Sequence, residues 1–233
     1  MTKPVCAILG VGPGNGAAFA RRFAQGGYAV ALMARRADVI QPLAAELPDA
    51  RALQCDAANP ADIEHCFGEI RRDMGEVGTL IYNAGSGIWG SVEEVSAEDF
   101  ETCWRINAHG AFLASQQVIP AMKASGRGNI VMIGATASRR GGARSAAFAA
   151  GKAAQRSLAE SMARHLWPAG IHVSLVVIDG VIDLERTRQR LPDKPDEFFL
   201  QASDIAETVW QTTRQSRSSW SFEVEARPFG ENW

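Results

Sequence analysis

Tyrosine is nearly missing from this chain: there are two in 233 residues, Tyr28 and Tyr82. Any chemistry that needs a phenol as acid or base has only those two places to put it. Cysteine is sparse as well, and Cys6, Cys55, Cys66 and Cys103 form no CxxC pair, which excludes the common zinc and thiol–disulfide motifs. Cys6 and Cys55 fall in apolar runs where a thiol packs as a small hydrophobe, so the chain reads as one kept in a reduced, cytoplasmic compartment. His65, His109, His165 and His172 have no i, i+4 partner among themselves or with cysteine, and no metal site is expected. No apolar run reaches the roughly 20 residues of a membrane span. The N-terminal apolar stretch is short and broken by Gly and Pro, which fits no secretory leader. A net charge of -2, from 24 basic and 26 acidic residues, leaves no field for nucleic acid or an anionic membrane.

What is present is a regular alternation of two periodicities. Short β-rich runs without polar alternation occur at Val5 to Leu9, Ala29 to Met33, Ala52 to Cys55, Thr79 to Tyr82, Asn129 to Ile133, His172 to Ile178 and Trp220 to Val224. Between them lie helical patterns at Asn15 to Gln25, Ala37 to Glu46, Pro60 to Met74, Ala97 to Lys123, Arg144 to Trp167 and Ser203 to Gln215. Asn59 before Pro60, and Ser96 with Asp99 three residues on, are helix start signals. With 46% hydrophobic residues and no composition break, residues 1–233 form a single α/β domain. The order predicts a doubly wound Rossmann-type parallel sheet of about seven strands with helices on both faces and right-handed crossovers. Its ligand belongs at the carboxyl ends of the strands. Leu184 to Phe199, rich in charge and proline, is expected as a loop with a short helix, positioned as a lid over the site.

The first strand opens directly into Gly10, Gly12, Gly14 and Gly16, with Asn15 among them at the start of a helix. Glycines at such a junction allow a tight turn and close approach of backbone to a phosphate, which then faces the helix N-terminus. The pattern predicts a bound dinucleotide. The second strand ends Met33, Ala34, Arg35, Arg36, with no acid until Asp38. A basic residue there accommodates a 2′-phosphate where an acid would take ribose hydroxyls, so NADP(H) is expected rather than NAD(H). The alternative is that Arg35 and Arg36 only solvate the next helix, though the first turn is an unfavourable place for cations. Asp56, closing the third strand, is placed to touch the adenine or to cap a turn.

Three further landmarks sit in order: Asn83, Ala84 and Gly85 after the fourth strand, Asn107 in the next helix, and Lys152 in the long helix after the fifth. Together with the glycine loop they resemble the short-chain dehydrogenase/reductase family over about the whole chain. Gly10, Gly14 and Gly16 match its TGxxxGxG loop, with Leu9 in the Thr place; Asn83 onward matches NNAG, with Tyr82 in place of the first Asn. The resemblance implies hydride transfer between a nicotinamide cofactor and a small carbonyl or alcohol. It implies that Lys152 and Asn107 serve the nicotinamide ribose and an ordered water, and that Asp179, Gly180, Val181, Ile182 and Asp183 pass beside the nicotinamide. It also implies a homodimer or homotetramer through the Asn107 helix and the Ala- and Gly-dense helix around Ser145 to Ala154. Trp220, Phe222 and Trp233 suit an edge strand and tail at a subunit contact.

The family's catalytic Tyr and Lys stand in YxxxK, one helical turn apart on the same face. Here that pentad reads Phe148, Ala149, Ala150, Gly151, Lys152, and the family's Ser falls at Ala135. Loss of a positioned general acid removes about 10²- to 10⁴-fold in rate. Thr136 or Ser138 offers a substitute hydroxyl. For the proton, Tyr28 lies at the opposite end of the sheet, Tyr82 suits packing, Ser145 lies one helical turn before Phe148, and His109 lies roughly on the far side of its helix from Asn107. Asp179, in the place of the proline in the family's PG turn, either acts as an acid or caps a turn. Two readings stand at this point: an NADP-preferring oxidoreductase with an atypical proton donor, or a nucleotide-binding or sensing protein that has lost turnover.

Overall fold

A computed structural model of the chain describes residues 3–230. Seven strands form one parallel sheet: β1 (Val5–Leu9), β2 (Ala29–Ala34), β3 (Ala50–Gln54), β4 (Val77–Tyr82), β5 (Gly128–Ala135), β6 (Ile171–Ile178) and, last in the chain, Glu223–Ala226. The order is β3, β2, β1, β4, β5, β6 and then that last strand. The chain winds one way from β1 and the other way from β4, so the switch point lies between these two, where a ligand crevice opens.

The central strands are buried on both sides, and their alternating residues feed two cores. Val5, Ala7 and Leu9 face one with Phe67, Val118 and Ala159, and Cys6 and Ile8 face the other with Phe19, Phe23, Ile205 and Trp210. The first core is covered by α3 (Pro60–Asp73), α5 (Gly110–Ser125) and α6 (Ala146–Leu166). The second is covered by α1 (Asn15–Gln25), α2 (Ala37–Glu46) and the helix Ala202–Thr213. Asn59 Oδ1 accepts the Ala61 N–H at 3.0 Å with Pro60 behind it, and Ser96 Oγ accepts the Asp99 N–H at 3.0 Å, so both start signals act as caps.

The helix expected from Ala97 to Lys123 is three pieces. α4 (Ala97–Trp104) runs into a π-helical turn at Arg105–His109 before α5 continues. The wider turn holds Asn107, and π turns recur at functional sites.

The lid segment is more ordered than a loop. Val181–Ile182 (β7) and Phe199–Leu200 (β8) pair in parallel at its base around α7 (Glu185–Arg190). The Arg188 guanidinium grips Asp183 at 2.7 and 2.8 Å and Asp196 at 2.6 Å, and lies 4.0 Å from the Phe199 ring centre. After α8 (Ala202–Thr213), the last strand, β9 (Glu223–Ala226), begins three residues later than Trp220. Trp220 is drawn out of the strand because its ring stacks on His172 at 4.8 Å and meets Trp167 edge-on at 5.8 Å within its own chain. Trp233 lies outside the described residues. The four cysteines are free and buried, and among the described residues no helix is long and apolar enough to cross a membrane.

Candidate functional site

At the carboxyl ends of β1 to β4 the strands open on a cavity of about 1250 Å³, above the roughly 300–1,000 Å³ typical of a drug-sized ligand. Its walls bring together Gly10, Gly12, Gly14, Asn15 and Gly16 after β1, Arg35 and Arg36 after β2, Asp56 after β3, and Asn83, Ala84 and Gly85 after β4. Ile182 and the start of α7, from Leu184 to Arg186, form the roof; Gly180 leads into that segment without lining it.

At two positions, Gly10 and Gly16, the glycine loop is shaped by backbone contacts that tolerate no side chain. Gly10 has φ of +100°, and a Cβ there would lie 2.3 Å from the Ala84 nitrogen. At Gly16 a Cβ would lie 2.6 Å from Val11 Cα, which seats α1 against the turn, whereas Gly12 faces open space. Asn83 Nδ2 donates to the Gly10 carbonyl at 2.7 Å and ties the two strand ends together. No side chain caps the first turn of α1 and no acid lies in it; the Ala17 and Ala18 N–H groups bond back to the Gly12 and Gly14 carbonyls at 3.0 and 3.1 Å, which leaves the Asn15 and Gly16 N–H groups and the helix dipole to an anion.

Arg35 and Arg36 reach the cavity, and among the described residues no carboxylate pairs with either guanidinium. Asp56 lines the same wall, while its Oδ1 accepts the Ala58 N–H at 2.9 Å. It therefore caps a turn at the cavity edge.

Beyond Gly85 lie Asn107 and Lys152. A Cβ on Gly85 would be 3.3 Å from Asn107 Oδ1 and 3.6 Å from Lys152 Nζ, so both atoms border the space left by that glycine. Asn107 Nδ2 donates to the Cys103 carbonyl at 2.9 Å and the Ser86 carbonyl at 3.1 Å. Its buried Oδ1 has no partner among the described residues, nor has that of Asn15. A buried amide oxygen without a donor is costly; Asn15 lines the cavity, and Asn107 Oδ1 borders the space beside Gly85 in its wall. On these orphaned atoms and the glycine cradle, the residues present fit the cofactor. Lys152 Nζ is buried, donates to the Ile133 carbonyl at 2.8 Å and to Gln155 Oε1 at 3.2 Å, and is pushed down to about 8 by desolvation.

The carboxyl ends of β5 and β6 are built differently. Ala135 and Phe148 offer no polar side-chain atom. The Phe148 ring packs at 5.0 Å against the exposed Trp89. The Thr136 hydroxyl donates to the buried Asp179 carboxylate, which also pairs with Arg227 from the end of β9. The Asp179 carboxylate is thus held between a hydroxyl and a guanidinium, an arrangement that neither of the two expected roles, acid or turn cap, described. Ser138 Oγ accepts the Ala135 N–H at 3.1 Å and Ser145 Oγ is tied to Gly142, so both hydroxyls close turns. Tyr82 is buried with its hydroxyl on the Ile106 carbonyl, and His109 stacks on Trp104 at 5.5 Å.

Two residues enter that sequence reading passed over. Gln155 follows Lys152 by three positions, the spacing at which helical side chains meet, and that was the available signal. Arg227 arrives by the register Ile178 to Ala226 between β6 and β9, which no local pattern encodes.

Fold, glycine cradle and buried Lys–Asn pair define a nucleotide-binding α/β oxidoreductase scaffold. The short chain dehydrogenase family profile matches residues 4–194, and the chain belongs to that family. It is 33% identical over 180 residues to a sorbitol dehydrogenase of Cereibacter sphaeroides, covering 76% of this chain and 70% of that one. A short-chain dehydrogenase from Rhodopseudomonas palustris superposes with a TM-score of 0.84 at 30% identity, covering 97% and 99% of the two chains. A metagenomic short-chain oxidoreductase in complex with NADP superposes at 0.85 with 26% identity and 99% coverage of both.

Proposed function

We propose that this protein is an NADP(H)-preferring oxidoreductase acting on a small carbonyl or alcohol, with an atypical proton path. The observation that carries the proposal is the cavity running from Arg35 and Arg36, past an uncapped helix N-terminus, to Gly85, where a Cβ would lie 3.3 Å from Asn107 Oδ1 and 3.6 Å from Lys152 Nζ. The two guanidiniums supply the charge a 2′-phosphate requires. The NADP held by the metagenomic relative supports the same choice.

A nicotinamide held here would supply the hydride chemistry. Lys152 and Asn107 hold the ribose end, and the roof from Ile182 to Arg186 excludes water. Thr136, with its proton on Asp179, presents lone pairs to a substrate hydroxyl. In the oxidising direction it accepts the substrate proton while passing its own to the carboxylate, and the reverse sequence serves reduction. Arg227 keeps the carboxylate aimed.

The experiment is a turnover panel of small aldehydes, ketones and alcohols with NADPH or NADP⁺, run on wild type, Thr136→Val, Thr136→Ser and Asp179→Asn. Activity retained by Thr136→Ser and lost by the other two supports the path. Activity that survives both Thr136→Val and Asp179→Asn overturns it. The hydrocarbon at Phe148 and Ala135 favours a second reading, a nucleotide-binding protein without turnover, which predicts NADPH binding and silence across the panel.

The same reading makes the protein a cytoplasmic homo-oligomer, a dimer or tetramer. Phe100, Trp104 and Phe112 are 44%, 42% and 41% exposed on neighbouring turns of α4 and α5, an apolar patch that a second copy would cover. Light scattering on the purified chain reads its mass.

A further inference from the structure

We propose that Gln155 is a positioning residue for Lys152, fixing the ammonium so that its third N–H serves the nicotinamide ribose. The inference rests on the cofactor reading above and adds to it a residue with no contact to the ligand.

Gln155 is 0% exposed on the inner face of α6. A side chain with two donors and two acceptors is an expensive choice for such a position unless its polar atoms are used. Its Oε1 accepts from Lys152 Nζ at 3.2 Å, whereas its Nε2 has no partner among the described residues. The amide thus leaves one end unsatisfied while giving its oxygen to the lysine. The reverse orientation would set NH₂ against NH₃⁺, donor against donor, so the orientation is locked while Lys152 holds its proton.

An ammonium has three donors. The Ile133 carbonyl on β5 and Gln155 Oε1 take two. The third is left for the space beside Gly85, which also borders the partnerless Asn107 Oδ1. The surroundings contribute little else: the Asn107 amide from the π turn, and the Cys103 thiol from α4 as the titratable group acting on the lysine. In so dry a site each hydrogen bond to the charged form counts for more than in water. Removing the Gln155 oxygen takes away one of two fixed acceptors, favours the neutral amine and frees the lysine to turn.

The test compares Gln155→Met, close in volume but without an acceptor, with Gln155→Glu, which keeps one. Affinities are measured for NADPH and for 2′,5′-ADP, which lacks the nicotinamide ribose. Carbon NMR of the lysine Cε methylene follows Lys152 titration, assigned with Lys152→Met. Gln155→Met is expected to weaken NADPH by roughly tenfold and leave 2′,5′-ADP unchanged. It should also lower the titration midpoint from about 8. Gln155→Glu is expected to keep NADPH binding and raise the midpoint. An unchanged midpoint in Gln155→Met, or equal weakening of both ligands, overturns the proposal. Should Gln155→Met not fold, the comparison of Gln155→Glu with wild type decides it by the same midpoint. Failure of wild type to bind NADPH would remove the cofactor reading, while the NMR titration would still decide the role of Gln155.

Discussion

From β1 to β4 the carboxyl edge of the sheet is defined by what it leaves open: glycines pressed on backbone, an uncapped helix start, and buried amide oxygens without donors. From β5 to β6 the same edge is defined by what is already satisfied. Phe148 packs under Trp89, Thr136 bonds to Asp179, and Asp179 pairs with Arg227. Among the described residues the first region holds unpaired buried amide oxygens, whereas Thr136 and Asp179 in the second are paired internally. On the function proposed above, gripping a nucleotide and moving a proton fall to different strand ends, so that one could change while the other keeps its geometry.

The largest expected effect attacks the open region. Gly16→Val would drive a side chain into Val11 backbone and should cost about 3 kcal/mol of stability and abolish NADPH binding, read by thermal melting and fluorescence titration. Normal binding would show that the loop is not the cradle. Next, Phe148→Tyr combined with Ala135→Ser restores a phenol and a hydroxyl to the satisfied region. Turnover should rise by about 10²- to 10⁴-fold with little change in NADPH affinity. If affinity moved and rate did not, the two regions would not be separable.

Arg35→Ala with Arg36→Ala should weaken NADPH by roughly tenfold or more while sparing NADH, since a charge-assisted bond contributes about 1.5–3 kcal/mol. Equal loss of both cofactors would place the arginines away from the 2′-phosphate. The smallest effect concerns the lid. Arg188 and Gln201 hold the Asp183 carboxyl down at about 2, against 3.8 ordinarily. Its folded value lies below its unfolded one, so the stabilisation is present above the unfolded value and is lost as pH falls through the folded one. Hydrogen-exchange protection factors across residues 183–200, taken relative to the intrinsic rate at each pH, should therefore hold above about pH 4 and fall toward about pH 2; Arg188→Ala should weaken that dependence.

Much of this comparison was legible in the sequence. Periodicity placed the central strands because each is buried on both faces and reads as an unbroken apolar run, and the glycines announced a turn that only they allow. Phe148 and Ala135 could be read directly, since a missing hydroxyl is visible without coordinates. What escaped depends on distant parts of the chain. The π turn at Arg105–His109 leaves no mark in a helical pattern. The β7 and β8 pair is two residues long on each side, too short for an alternation to register. Arg227 meets Asp179 only because β9 pairs with β6. Trp220 reads as strand by propensity, but stacking on His172 outweighs that preference.

The separation of the two tasks is tested most directly by calorimetric titration of the purified wild-type chain with NADPH. A saturable exothermic isotherm with one site per chain and micromolar affinity is the predicted result. Absence of saturable heat, for a chain shown to be folded by circular dichroism, would contradict it.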